Sequence, residues 1–439
     1  MDWKPHCYRA GSHLEAVDDL PAGEDLEKFI ERSRRYIEPW LSAVFQAEHL
    51  NLVLGSGFTS AVAFAAGGRA ADMGQIAFGS AYDASINRHA ETTAQSMGRG
   101  AANIEDQFRS ALAVLEGLTV TDAAAAAAFK RQIDAKMLEF LRSILATERA
   151  ISGANEDGRL KAESLLQSFL LSFASRSASR ERLHVFTTNY ERLIEHGCDL
   201  AGLRIVDRFV GALNPLFRSS RVELDMHYNP PGIRGEPRFM EGVVRVSKLH
   251  GSIDWQFDKA SKVIRRVGIP FGAADNHTDI PQSPIDTVMI YPNPAKDVET
   301  TAYPYAEIFR DMAAAVCRPN AVVVTYGYGF GDDHINRVLL DMLSIPSTHI
   351  VIISYGVDDR LKNFCKKVRT AQVSLLCGSH FGSLENLVEH YLPKPALDYI
   401  TGRLSDILRR RPDIAPVREA AVDQPAPDIA VGGGEGAQG

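Results

Sequence analysis

Five short segments rich in glycine or polar side chains each follow an apolar run that predicts a β-strand. They are Gly55–Thr59, Thr187–Glu191, Lys248–Trp255, Thr325–Asn336 and Ser354–Gly356. Ligands of parallel sheets bind where the strands end, so such segments are expected to meet in one crevice. Asn189 supplies a neutral carboxamide that can orient water, and His250 supplies the side chain that titrates nearest neutrality. The pattern predicts one site that combines an anion-binding loop with polar side chains at the ends of several strands.

The first segment follows the apolar strand Asn51–Leu54 and has the sequence Gly-Ser-Gly-Phe-Thr. Glycine lacks a Cβ, so the backbone of Gly55 and Gly57 can approach a phosphate closely. We expect a helix to begin at Ser60, so that its N-terminus and the positive end of its dipole face an anion. A strand–helix turn that binds no ligand can have the same glycine pattern, so this segment alone does not distinguish the two interpretations. The other four segments favour a ligand site.

Each segment also has a purely structural interpretation. Asn189 fits the N-cap of a helix predicted over 190–200. His250 fits a turn residue whose ring bonds to the backbone, and Asp332 and Asp333 fit helix caps. Capping and ligand binding are compatible, because a cap position at a strand end also faces the crevice.

Alternating strands and helices would position these segments. Apolar residues at helical spacing predict a helix from Glu24 to about Leu50. Further strands are predicted at 183–187, 243–249, 253–257, 288–291, 321–326, 349–354 and 372–376, with helices at 190–200, 302–316, 333–343, 358–369 and 383–391. This alternation predicts an α/β fold with a Rossmann-like, doubly wound and mostly parallel sheet.

The region between the first two sheet strands predicts a helical insertion. Residues 67–99 are rich in Gly, Ala, Ser and Asn, and we expect them to be irregular. The insertion itself is predicted at 100–180. Its helices are expected to run from a cap at Thr121 or Asp122 through Leu145, and from Arg159 to about Phe173.

The predicted organisation has four parts. They are an N-terminal helical segment at 1–50, the Rossmann-like domain with its insertion at 51–394, a C-terminal helix at 395–411 and a disordered tail at 412–439. The tail contains Pro-Ala-Pro and a run of three glycines, a composition typical of disorder.

Composition excludes several classes of function. The net charge of −7 over 439 residues argues against a broad nucleic-acid-binding face. The five cysteines contain no Cys-x-x-Cys pair, so the sequence predicts neither a zinc ribbon nor a disulfide framework. No zinc is expected, and no residue is assigned as a metal ligand. No signal peptide and no apolar run of about 18 residues is recognised. We expect a reduced, cytoplasmic protein with no membrane contact and no direct sequence-specific nucleic-acid binding.

The segments together resemble the sirtuin-like domain of bacterial anti-phage defence proteins, which are NAD-cleaving enzymes. Sirtuins carry Gly-Ala-Gly-x-Ser, Thr-Gln-Asn-Ile-Asp, His-Gly and Gly-Thr-Ser in this order. The matching segments here are Gly55–Thr59, Thr187–Glu191, His250–Gly251 and Gly327–Phe330. The defence branch adds Lys-Leu-His-Gly-Ser-Ile-Asp-Trp, a Tyr-Pro-Asn-Pro loop at Tyr291–Pro294, and Gly-Tyr-x-Phe-x-Asp-x-His-Ile-Asn. The likeness covers residues 50–66 and 183–380.

The resemblance implies an NAD+ hydrolase that cleaves the nicotinamide–ribose bond and acts in defence by depleting NAD. Asn189 would orient water and ribose hydroxyls, and His250 would act as the general base. The implied substrate-binding residues are Gly55, Ser56, Gly57, Phe58, Thr59, Thr188, Glu191, Gly327, Tyr328 and Ser354. Among them the glycine loop would hold the pyrophosphate, Phe58 would cover the nicotinamide ribose, and Gly327, Tyr328 and Ser354 would line the adenosine half.

Departures from the sirtuin pattern favour hydrolysis over deacylation. The four-cysteine zinc module and the Gly-Ile-Pro-Asp-Phe-Arg segment of deacylases are missing from the sequence. Defence relatives assemble as large oligomers, so the resemblance implies a homo-oligomer, with a HerA-type hexameric ATPase as partner.

Three other functions remain open at this point. A non-catalytic subunit that senses NAD or ADP-ribose would use the same cleft. A dinucleotide-dependent oxidoreductase would need an acidic residue about 20 positions after the glycine loop, and Asp72 lies in no strand pattern. Phosphoryl transfer is disfavoured because the Gly-x-x-x-x-Gly-Lys-Ser/Thr pattern is not present.

Overall fold

Runs of β-branched and aliphatic residues form most of the strands in the computed structural model, which describes residues 3–71, 73–97, 100–219, 225–228, 238–258, 260–284, 288–290 and 304–394. The described elements belong to one unit, Met1–Pro393. The Tyr291–Pro294 loop, the C-terminal helix predicted at 395–411 and the tail at 412–439 lie outside the described residues.

The strands are β1 (His6–Ala10), β2 (His13–Val17), β3 (His49–Leu54), β4 (Leu183–Thr187), β5 (Arg204–Val206), β6 (Phe209–Val210), β7 (Leu216–Phe217), β8 (His227–Tyr228), β9 (Arg238–Phe239), β10 (Val243–Lys248), β11 (Gly251–Asp258), β12 (Val263–Arg266), β13 (Val288–Ile290), β14 (Ala321–Tyr326), β15 (His349–Ser354) and β16 (Val373–Cys377). The helices are α1 (Glu24–Val44), α2 (Ser56–Ala65), α3 (Asp83–Ser96), α4 (Ile104–Thr121), α5 (Ala123–Ser152), α6 (Glu156–Ala174), α7 (Leu193–Ala201), α8 (Tyr305–Val316), α9 (Asp333–Ser344), α10 (Asp359–Lys366) and α11 (Leu384–Asn386), which continues as a π-helical turn over Leu387–Tyr391.

The central sheet has nine strands in the order β2-β1-β16-β15-β14-β3-β4-β10-β5. The seven strands from β16 to β5 pair in parallel, and the β1–β2 hairpin adds an antiparallel edge. The chain runs outward from β3 to β4 and β10, then returns to β14 and runs the other way to β15 and β16. The predicted α/β class and doubly wound, mostly parallel sheet are confirmed.

Residues of the sheet alternate between two apolar cores. On β3, Leu52 and Leu54 pack on the face covered by α1, α2 and α6, whereas Val53 packs on the face of α8 and α9. Burial of both faces explains why the strands are continuously apolar. None of the described helices has the length and apolar character needed to cross a bilayer.

Several predicted elements were wrong in position. The segment at 67–99, expected to be irregular, contains α3, and the N-terminal 22 residues contain the β1–β2 hairpin. Strand β11 belongs to a separate five-stranded sheet. The last helix of the predicted 100–180 insertion, α6, packs on the central sheet through Phe169 and Phe173. Helices α3, α4 and α5 instead share a second core with Tyr190 and with Ile253 of β11.

Candidate functional site

The glycine-containing loops after β3 and β14 touch where the two halves of the sheet diverge. Gly55 N–H donates to Tyr326 O at 3.2 Å, and Gly57 N–H donates to Gly327 O at 3.1 Å. A Cβ on Gly57 would lie 2.7 Å from the Gly327 Cα, and Gly327 has a φ of +62°. Glycine is therefore required at both positions so that the two loops can pack backbone to backbone.

A cleft of about 260 Å³ opens beside these loops at the carboxyl ends of the strands. Most of the residues assigned to the site from sequence line it. They are Gly55, Ser56, Thr59, Thr188, Asn189, Glu191, His250 and Tyr328. The structure thus brings Asn189 and His250, which are far apart in sequence, into one cleft at the switch point of the sheet, where ligands of such folds bind.

Two hydrogen bonds from its amide nitrogen hold the side chain of Asn189. Nδ2 donates to Gly55 O at 2.9 Å and to Thr59 Oγ1 at 2.9 Å. A carboxamide nitrogen carries two hydrogens, so both are used. The carboxamide oxygen is the polar atom that remains for the cleft, where it can accept a hydrogen bond from water or a sugar hydroxyl.

The Thr59 hydroxyl links Asn189 to a buried carboxyl group. Its Oγ1 donates to Glu191 Oε1 at 2.7 Å. Burial raises the pKa of Glu191, and the positive charge of Lys248 opposes that shift. The main role of Glu191 is therefore to hold the Thr59 hydroxyl in place, although Glu191 also lines the cleft.

The loop after β4 is held in place by backbone contacts that prevent an early helix. Tyr190 O accepts hydrogen bonds from Lys248 Nζ at 3.3 Å, Ser252 Oγ at 3.2 Å and Ile253 N at 3.2 Å. Because this carbonyl is engaged, α7 begins at Leu193. The prediction that a helix starts at Tyr190 with Asn189 as its N-cap was wrong.

The helix after β3 also begins elsewhere than predicted. It starts at Ser56, with Gly55 as its N-cap, and not at Ser60. Gly57 N–H bonds to Gly327 O and Phe58 N–H bonds to Gly55 O at 3.0 Å, so both groups are used within the protein. The N-terminus of α2 still points its dipole at the cleft, and Ser56 lines it.

Among the residues predicted to bind substrate, four do not line the cleft that the described residues form. They are Gly57, Phe58, Gly327 and Ser354. Gly57 and Gly327 form the contact between loops. Phe58 is 0% exposed and packs in the core, with its ring centroid 5.1 Å from that of Phe169, so its expected position over a ribose was wrong. Ser354 Oγ donates to Gly356 O at 2.8 Å.

His250 lies two residues after the end of β10 and is 4% exposed. Its Nε2 lies 4.0 Å from Asp332 Oδ1, and its ring centroid lies 6.3 Å from that of Tyr190. Asp332 is the N-cap residue of α9, so the loop after β14 places a carboxylate beside the imidazole. Proximity of this acid was not anticipated from the sequence, which indicated only a capping role.

Two glutamates of the helical insertion, one on α4 and one on α5, also hold the loop after β4. Tyr190 OH donates to Glu105 Oε1 at 2.6 Å, and burial together with the Glu105 charge raises the pKa of Tyr190. Glu148 is fully buried and accepts from the backbone N and from Nε of Arg192, at 2.9 and 3.1 Å. Helices α4 and α5 are thus connected directly to the residues on either side of Glu191.

Three charged residues that line the cleft were not assigned to it from sequence: Glu105, Asp332 and Arg360. Glu105 and Arg360 follow no motif, and only the fold brings them to the cleft. Arg360 Nη2 lies 3.2 Å from Asp358 Oδ2, and its side chain is 42% exposed. It provides positive charge beside the loop after β14.

The cleft combines a helix N-terminus, the Arg360 guanidinium, a carboxamide oxygen and an imidazole. Such a set suits the hydrolysis of a phosphorylated glycoside, since it can hold an anion, orient water and accept a proton. The chain matches no family model and no curated protein. The cleft itself is therefore the basis for assigning a function.

Proposed function

We propose that this protein is a sirtuin-like NAD+ hydrolase that releases nicotinamide and ADP-ribose. The observation that supports it best is the orientation of Asn189, whose amide hydrogens are bound to Gly55 and Thr59 and whose oxygen is left for the cleft that His250 also lines. The resemblance of the surrounding segments to sirtuin motifs supports the same activity.

In the proposed mechanism the C1′–nitrogen bond of the nicotinamide riboside breaks and its electron pair goes to the nicotinamide. The leaving group departs neutral, so no general acid is required. The Asn189 carboxamide oxygen stabilises the positive charge that develops on the ribose and holds the attacking water. Water forms the new C1′–oxygen bond, and His250 accepts its proton, directly or through a ribose hydroxyl.

The remaining residues position the substrate. The N-terminus of α2, with Ser56, faces the pyrophosphate, and Arg360 supplies a second positive charge. Glu191 keeps Thr59, and through it Asn189, in orientation. The side chain of Tyr328, whose pKa is raised by burial, lines the adenosine half.

The test is nicotinamide release by the full-length protein and by Asn189→Ala and His250→Ala. We expect a loss of roughly 10²–10⁴ in rate for His250→Ala. His13→Ala, on the far edge strand β2, is the matched control and should keep the wild-type rate. NAD+ binding without nicotinamide release by the wild type would instead support a sensor of NAD or ADP-ribose.

We further propose that hydrolysis serves anti-phage defence in the cytoplasm within a homo-oligomer, with a HerA-type ATPase as the regulating partner. The support is the defence-type sequence Lys-Leu-His-Gly-Ser-Ile-Asp-Trp at Lys248–Trp255. Size-exclusion chromatography with light scattering, with and without the ATPase, tests the assembly. A monomer at all concentrations, unchanged by the ATPase, would contradict it.

A further inference from the structure

Three donor side chains converge at the cleft: His250 and Asp332, which line it, and His334, the second residue of α9. One nitrogen of each imidazole and one carboxylate oxygen all lie within 4.8 Å of one another. The His250 Nε2–Asp332 Oδ1 distance is 4.0 Å, and the two imidazole centroids are 5.7 Å apart. His250 follows β10, whereas Asp332 and His334 lie at the start of α9 after β14. Strands β3 and β4 lie between β10 and β14 in the sheet, so the fold and not local sequence brings the three residues together.

The environment and the donor types suit a transition metal. His250 is 4% exposed and His334 is 8% exposed, and Phe309 packs edge-on against the His334 ring. Two imidazoles and one carboxylate are a typical donor set for zinc and its first-row neighbours, whereas Mg²⁺ and Ca²⁺ prefer oxygen donors throughout.

We propose that His250, Asp332 and His334 form a binding site for a divalent transition-metal ion, of which Zn²⁺ is the best match. Zinc bonds of about 2.1 Å in a tetrahedron place ligand atoms about 3.4 Å apart. A separation of 4.8 Å must therefore shorten by about 1.4 Å. The Asp332 side chain is 17% exposed, which makes it the least buried of the three ligands. Three protein ligands leave the fourth position open towards the cleft.

Zinc binding has a consequence for hydrolysis, and this consequence rests on the proposed function. A zinc ion uses the lone pair of an imidazole nitrogen, which is the same lone pair that accepts a proton in general-base catalysis. An ion held by His250 therefore blocks that nitrogen and inhibits nicotinamide release. Zinc binding itself does not depend on what the cleft does.

The first experiment uses equilibrium dialysis to measure the binding of Zn²⁺. It compares the EDTA-treated full-length wild type with the variants His334→Gln and Asp332→Asn. We expect one tight site in the wild type and a loss of tenfold or more in affinity in each variant. His89→Gln, on α3, is the matched histidine control. Cys7→Ser controls for zinc held by the thiols of Cys7 and Cys377, which are paired across β1 and β16.

Circular dichroism establishes that each variant is folded before it is compared. No tight zinc site in the wild type, or unchanged affinity in both folded variants, overturns the site. Loss of zinc in Cys7→Ser with retention in His334→Gln also overturns it, because the ion would then belong to the thiols.

The second experiment measures the rate of nicotinamide release with and without one equivalent of Zn²⁺ and compares the two rates as a ratio. We expect a severalfold lower rate with zinc in the wild type and a ratio near one in His334→Gln. Zinc binding that leaves the rate unchanged or raises it overturns the inhibitory consequence. Release of no nicotinamide under either condition contradicts the proposed hydrolase and leaves the zinc-binding result standing.

Discussion

The Asn189 amide donates a hydrogen bond to the Thr59 hydroxyl at 2.9 Å, which fixes the orientation of the carboxamide. Thr59 lies in the first turn of α2, whereas Asn189 lies in the loop after β4. The Thr59 hydroxyl in turn donates a hydrogen bond to the Glu191 carboxyl group. A side chain that carries no chemistry of its own therefore decides which atom of Asn189 faces the cleft.

Thr59→Val should lower nicotinamide release about tenfold or more. It removes an acceptor from the Asn189 amide, and an unsatisfied buried donor costs about 1–3 kcal/mol. Thr59→Ser keeps the hydroxyl and should keep most of the rate. Steady-state kinetics on the two folded variants check the prediction, and equal activity in both would contradict it.

Gly57→Ala should destabilise the fold by about 2 kcal/mol or more, because the new Cβ would meet the Gly327 backbone at 2.7 Å. Gly329→Ala is the control, since the nearest atom to a Cβ there is the Arg360 guanidinium at 3.8 Å. Urea unfolding of both proteins measures the difference. A Gly57→Ala protein as stable as Gly329→Ala would show that the loops separate without cost.

Glu148→Ala should lower the free energy of unfolding by about 3–5 kcal/mol, because it leaves the buried Arg192 guanidinium without its carboxylate. The exposed Arg35–Glu31 pair on α1 offers a control, and Glu31→Ala should change stability by less than about 1 kcal/mol. Because Arg192 follows Glu191 directly, a folded Glu148→Ala protein should also bind NAD+ more weakly. Calorimetry measures both effects, and a small loss of stability would contradict the first.

Arg360→Gln should raise the KM for NAD+ by roughly three- to tenfold and leave kcat nearly unchanged. A half-exposed guanidinium contributes modest binding energy and touches no reacting atom in the proposed mechanism. Arg369→Gln, on the turn before β16, serves as a charge-matched control. A fall in kcat at unchanged KM would place Arg360 in the chemical step.

His380→Gln should reduce the decrease in the free energy of unfolding that acidification causes. Burial lowers the pKa of His380 to about 4, against about 6.5 when unfolded. The unfolded chain therefore binds more protons between these values, so stability is present above pH 6.5 and is lost as pH falls towards 4. Allowing for solvent screening, the effect is on the order of 1 kcal/mol. Urea midpoints at pH 7 and pH 5 test it, with His227→Gln on the exposed strand β8 as control. An equal pH slope in wild type and His380→Gln would contradict it.

The strands, and hence the class of fold, followed from local sequence. The predicted bounds of β4, β14 and β15 agree with the structure. Strands buried on both faces are continuously apolar, which makes them easy to recognise. Because polar segments come directly after these strands, the sequence also placed Asn189 and His250 at the same edge of the sheet.

The starts of α2 and α7 were beyond the sequence, because contacts with distant residues decide them, whereas the start of α9 at Asp333 agrees with the prediction. Tyr190 O is bound by Lys248 and Ser252, so α7 starts late. Gly57 packs on Gly327, and α2 starts early, which turns Phe58 into the core. Propensity and capping patterns describe only neighbours in the chain.

Side-chain partners across the fold were likewise decided by tertiary structure alone. Glu105 meets Tyr190 across 85 positions and Glu148 meets Arg192 across 44, and neither glutamate belongs to a recognisable motif. The sequence by itself determined the sheet, the polar strand ends and the residue types of the site. Only the packing of α2, α4, α5 and the loop after β14 against those ends decided which polar atoms face the cleft, because that choice depends on distances between residues far apart in the chain.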